Sequence, residues 1–108
     1  MTNMKEEFLE EVKGKEVLCV DLKYGYDWVD PDDDERPAVI QLVAAYSQEE
    51  YDKFLEKLNI PYDSGFGCQL LSGIIWYKDG TWSERAEYDG SEWWEYKSRP
   101  RLPLYLLP

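Results

Sequence analysis

Two Asp-Gly dipeptides, Asp79-Gly80 and Asp89-Gly90, punctuate a run of alternating aromatic and polar residues, and they constrain the fold more than any other feature of the chain. Asp-Gly supplies the positive φ angles of a tight type I′ turn, and between alternating runs it is the strongest short-range hairpin signal. The spacing predicts three consecutive antiparallel strands over residues 69–78, 81–88 and 91–97. Two-residue turns fix register. Tyr77 is then expected opposite Trp82, Ile75 opposite Glu84, Ala86 opposite Trp93 and Glu84 opposite Glu95. One face would carry Ile75, Tyr77, Trp82, Glu84, Ala86, Tyr88, Trp93 and Glu95. The other would carry Ile74, Trp76, Ser83, Arg85, Glu87, Trp94 and Tyr96. In that register Arg85 lies between Ile74 and Trp94 with Trp76 diagonal, an arrangement for cation–π stacking. Opposed Glu84 and Glu95 are unfavourable unless a cation sits between them or solvent reaches that end of the face.

Upstream, Met4, Phe8, Leu9 and Val12 form one apolar stripe, which predicts a helix from Thr2 or Asn3 to Lys13 with Glu6, Glu7, Glu10 and Glu11 facing water. Gly14 fits the left-handed residue that closes it. Residues 16–24 alternate as a strand, and 38–46 read as a well-buried second strand joined to it by a wide hairpin. Ser47 and Glu50 form a capping box ahead of Tyr51, Phe54, Leu55 and Leu58, the spacing of an amphipathic helix that Asn59 and Pro61 end. Residues 62–67 read as a loop. The last stretch, 99–108, carries three prolines and is expected to be an extended tail lying over an apolar face or a sheet edge. The expected order is α-β-β-α-β-β-β: one α+β domain over residues 1–108, with a mostly antiparallel sheet of about five strands and both helices on one face. The helices can cover only one face of the sheet, so tryptophans on the other meet solvent, the tail or a partner.

The balance of 12 basic against 23 acidic residues gives a net charge of −11. That charge repels nucleic acid and anionic membranes and favours a basic protein partner. The absence of histidine removes the commonest general base and metal ligand. Cys19 and Cys68 cannot build a structural zinc site alone, and their apolar settings suggest buried free thiols in a reducing cytosol. The opening MTNMKEEFLEEVKGK has no apolar signal core, and no run matches a membrane helix, so a cytoplasmic location is expected.

Asp30, Asp32 and Asp34 match the first ligands of a calcium-binding loop, but Glu35 and Gln41 occupy the positions that need Gly and Glu. Gly65-Phe66-Gly67 precedes a strand and lacks a lysine, so it is not a phosphate loop. Glu84 and Glu95 near Trp82 and Trp93 resemble the two acids of a sugar-hydrolysing cleft, one of them with a raised pKa. The acids Asp27, Asp30, Asp32, Asp33, Asp34 and Glu35, with the glutamates of the first helix, could imitate phosphate spacing toward a basic cleft.

The segments Ile74-Ile75-Trp76-Tyr77-Lys78-Asp79-Gly80-Thr81-Trp82 and Tyr88-Asp89-Gly90-Ser91-Glu92-Trp93-Trp94-Glu95-Tyr96 resemble the endings of small acidic accessory proteins of phages and prophages. The resemblance covers roughly the last third of the chain and carries over no catalytic residue. It implies a protein that binds and modulates a host factor, as anti-CRISPR and anti-restriction inhibitors do. The expected function is a non-enzymatic protein-binding module without cofactor. Asp30, Asp32, Asp33, Asp34 and Glu35 would steer the partner, and Trp76, Trp82, Trp93 and Trp94 would be buried against it. The alternative is a small ligand-binding or hydrolytic domain using Glu84 and Glu95. An uncovered sheet edge would also suit a homodimer.

Overall fold

The computed structural model describes residues 2–25, 38–62, 71–88, 91–100 and 104–106. Five strands form one antiparallel sheet in the order β3-β2-β5-β6-β7: β2 is Val17–Tyr24, β3 Ala38–Leu42, β5 Leu71–Tyr77, β6 Trp82–Tyr88 and β7 Ser91–Lys97. Two helices, α1 (Met4–Glu11) and α2 (Gln48–Leu58), complete the expected α+β order. A two-residue ladder that the sequence does not announce joins β1 (Thr2–Asn3) to β4 (Pro61–Tyr62). It is too short to leave a periodic trace.

The helices start where the chemistry places them. The Asn3 side chain accepts from the backbone N–H groups of Lys5 and Glu6, and Glu6 and Glu7 sit at the positive end of the α1 dipole. Beyond α1, Gly14 has a φ of +77°, as a closing left-handed residue requires. At α2 the Glu50 N–H donates to Ser47 Oγ at 3.1 Å, and Ser47 Oγ donates to Glu50 Oε1 at 3.2 Å. Met4 and Phe8 of α1, its capping residue Val12, and Phe54 and Leu58 of α2 pack with Val20, Leu22, Ile40, Leu42, Leu71, Ile75 and Tyr77 into one core on one face of the sheet. Phe8 and Phe54 meet edge to face at 5.1 Å. Leu9, expected in the stripe, is exposed. Glu7 and Glu11, expected in water, instead turn toward β6, because they lie one position behind the buried Phe8 and Val12.

The first Asp-Gly hairpin departs from the expected register by one residue. The Tyr77 N–H donates to the Thr81 carbonyl, the Gly80 N–H donates to the Tyr77 carbonyl, and Gly80 alone in the turn takes a positive φ, +90°. This is a three-residue loop with a glycine bulge, not a type I′ turn. The Asp79 carboxylate explains the choice, since it accepts from the Thr81 N–H at 2.9 Å, the local bond that aspartate favours in turns. The observed pairs are Trp76↔Trp82, Ile75↔Ser83 and Ile74↔Glu84. A one-residue slip reverses faces, so Trp76 and Ile74 join Trp82 and Glu84, while Tyr77 and Ile75 join Ser83 and Arg85. Arg85 therefore does not lie beside Ile74 or Trp76. The second hairpin has the expected register, with Tyr88↔Ser91, Ala86↔Trp93 and Glu84↔Glu95.

Two other expectations change. β3 ends at Leu42 and is an edge strand in which only Ile40 and Leu42 are buried, and the chain leaves it through Val43, 71% exposed. Leu104–Leu106 form a single 3-10 turn, and Tyr105 and Leu106 stay exposed. Among the described residues no helix is long and apolar enough to cross a membrane.

Candidate docking face of the sheet

The sheet face opposite the helices is built from three cross-strand rows, each fixed by the register. The first row runs Cys19, Trp76, Trp82, Lys97. The second runs Gln41, Asp21, Ile74, Glu84, Glu95. The third carries Val39, Lys23 and Ser72 at one end and Ala86 and Trp93 at the other. An acidic row is thus framed by Trp76 and Trp82 on one side and Trp93 on the other. Trp76 is 37% and Trp93 41% exposed, and Trp82 is half-buried. Cys19, expected to be buried, is a half-buried free thiol here; Cys68 lies outside the described residues.

Glu84 is the best-held group of this face. Trp82 Nε1 donates to its Oε1 at 2.8 Å and Lys97 Nζ donates to its Oε2 at 3.2 Å. The Trp82 hydrogen bond first, and Lys97 second, hold this carboxyl below the usual range. Of the two ways to relieve the Glu84–Glu95 opposition, Lys97 pairs with Glu84 and solvent reaches the exposed Glu95. Glu84 is therefore not the acid with the raised pKa that a hydrolytic pair would need. Asp21 accepts from Gln41 Nε2 at 2.9 Å.

Trp94 does not share this face. It lies against the core on the helix side, where its ring centroid is 5.3 Å from the Arg85 guanidinium. The acidic positions Asp30, Asp32, Asp33, Asp34 and Glu35 lie outside the described residues. Among the described residues no group of acids or thiols forms a metal cluster.

The helix side holds a buried polar cluster that sequence reasoning missed apart from the Arg85–Trp94 stack. The Arg85 side chain is fully buried, with Glu92 Oε1 2.8 Å from Nη2 and Glu7 Oε2 3.1 Å from Nη1. Arg85 Nη2 also donates to the Tyr62 hydroxyl, which in turn donates to Glu7. Burial opposes the Arg85 charge, but Glu92, Glu7 and Tyr62 hold its pKa above the ordinary value. A second chain runs from Tyr77 to Ser83 at 2.7 Å and from Ser83 to Glu11 at 2.6 Å. Both chains tie α1 to β6, the strand that carries Trp82 on its opposite face. The one available signal was the position of Glu7 and Glu11 beside the apolar stripe of α1.

The phenols of these two chains resist ionisation. Burial first, then the bond to Glu7, pushes Tyr62 up to about 12. Burial again, aided by Glu11, pushes Tyr77 up to about 12. An unfolded tyrosine ionises near pH 10, so above that pH the unfolded chain binds fewer protons than the folded one. Stability is therefore full below about pH 10 and falls as the pH rises toward about 12. The unfolding free energy from urea titrations across that window should drop, by on the order of 1–2 kcal/mol per phenol. In Tyr62→Phe/Tyr77→Phe the drop should shrink to the smaller part left by Tyr46 and Tyr51, whose phenol pKa burial also raises; an unchanged slope in that variant would assign the effect elsewhere.

Comparison with protein-family models, with curated proteins and with solved structures finds no match in any of the three.

Proposed function

We propose that the chain is a non-enzymatic protein-binding module that docks on a basic host protein through the outer face of its sheet. The observation that carries this reading is the grouping of Trp76, Trp82 and Trp93 around an acidic row on the side that neither helix covers. Large rigid aromatics of this kind concentrate binding energy once a partner excludes water from them. The net charge of −11 speeds encounter with a basic surface and repels nucleic acid. Asp30, Asp32, Asp33, Asp34 and Glu35 would add to that steering. The C-terminal resemblance to phage accessory proteins supplies the context of an inhibitor acting in a host cytoplasm, and the free thiol of Cys19 is compatible with a reducing setting. A hydrolase centred on Glu84 and Glu95 is the weaker reading, because the Glu84 carboxylate is occupied by Trp82 and Lys97 and Glu95 lies exposed on the open sheet face.

Immobilised wild-type protein should retain a basic partner from host lysate at low salt and release it as salt rises. Trp76→Ala/Trp93→Ala, both exposed positions, should lose that partner while keeping the wild-type urea midpoint. Retention by the double variant would move the docking site off this face, and no salt-sensitive partner for the wild type would end the reading.

A further inference from the structure

The acidic row defines what kind of basic segment this face fits. Of its three carboxylates, Glu84 is neutralised by Lys97. Asp21 accepts only the neutral amide of Gln41 among its described contacts, and Glu95 is exposed with no ion pair among the described residues. Lys23 stands one row away from Asp21 and forms no ion pair with it among the described residues. The two uncompensated charges therefore stand at β2 and β7, three strand spacings apart in the order β2-β5-β6-β7. At about 4.8 Å per strand this is about 14 Å. Each has an exposed tryptophan beside it on the same face: Trp93 two residues before Glu95 on β7, and Trp76 diagonal to Asp21 across β2 and β5.

An extended chain rises about 3.4 Å per residue and returns a side chain to the same side every second residue, so positions i and i+4 are about 14 Å apart on one side. We propose that the face receives an extended basic segment of a partner protein laid across the strands, with arginines four residues apart engaging Asp21 and Glu95. A guanidinium suits both places, because it forks onto a carboxylate and stacks on an indole, which an ammonium does less well. Ile74, between Asp21 and Glu84 in the same row, meets the middle of the segment with an apolar side chain. This inference rests on the docking face proposed above and adds the chemistry and spacing of what docks there.

Three capped seven-residue threonine peptides test it: one with arginines at its second and sixth positions, one with arginines at the second and third, and one with lysines at the second and sixth. Binding is followed by indole N–H shifts of the full-length protein in low salt. The spaced-arginine peptide should bind tightest and shift the Trp76 and Trp93 signals. Asp21→Asn and Glu95→Gln should each weaken it roughly three- to fivefold, the range of an exposed ion pair, while Glu10→Gln on the far side should not. Equal binding of the three peptides, or indifference to both substitutions, overturns the inference. Shifts caused instead by a neutral cello-oligosaccharide overturn it in favour of a sugar platform. If the peptides fail while Trp76→Ala/Trp93→Ala still abolishes partner capture, the face docks but not through spaced arginines; if both fail, the docking reading falls too.

Discussion

Arg85→Met should destabilise the fold by about 3–5 kcal/mol, the cost of leaving a buried charge without its partner. Glu92 is the reason. Its side chain is 2% exposed, and the substitution removes the guanidinium that faces its carboxylate at 2.8 Å. Glu7, 23% exposed, can turn toward water and loses less. Against the 5–15 kcal/mol that holds a typical domain, the loss is a large fraction, and urea unfolding should show it as a strongly lowered midpoint. Arg85→Met/Glu92→Gln removes both charges and should recover much of it. A double variant as unstable as the two single changes added together would mean that packing, not charge pairing, is what Arg85 supplies.

Gly73→Ala should be at least as damaging, at about 3 kcal/mol or more. Gly73 has a φ of +134°, a conformation closed to side chains, and an added Cβ would lie 2.1 Å from the Asp21 carbonyl oxygen and 2.9 Å from Leu22 Cα. Both obstacles are backbone of β2, the strand paired with β5 through Leu22↔Gly73. Relief requires the two central strands to part, so the expected result is loss of the cooperative transition or of soluble expression. Gly80→Ala makes the contrast, since that loop glycine has open space around it and only its φ of +90° is strained; it should cost about 1 kcal/mol. Near-equal losses at the two positions would show that strain, not the clash, governs both.

The helices, the order of elements along the chain and the second hairpin were legible in the sequence because each depends on local or period-based rules; the pairing of β2 with β5, which sets the spatial order of the sheet, was not. Asn3 and Ser47 cap what they should cap, and Tyr88↔Ser91 closes as a two-residue turn predicts. The first hairpin was not legible to the residue. Asp-Gly serves a two-residue turn and a three-residue bulged loop alike, and the choice fell to one side-chain bond from Asp79 to Thr81. The docking face inherited that ambiguity: Trp76, Trp82 and Trp93 share a side, but Trp94 faces the core. Arg85 showed its stack on Trp94 through the second hairpin, yet its links to Glu7 and Tyr62 span 78 and 23 positions and left no periodic mark. The buried character of β3 was overread because an unbroken apolar run does not distinguish an edge strand from a central one.

The loop of Lys78, Asp79 and Gly80 gives the protein an unusual relation to its own gene. Loss of the Asp79 side-chain bond to Thr81 would leave the hairpin free to close as the two-residue form, with Lys78 opposite Thr81, and to slide β5 past β6 by one position, exchanging Trp76 for Tyr77 as the neighbour of Trp82. The binding surface can thus be rewritten without altering any residue that forms it, and a lineage under pressure to abandon one target would meet that change as a single substitution at Asp79.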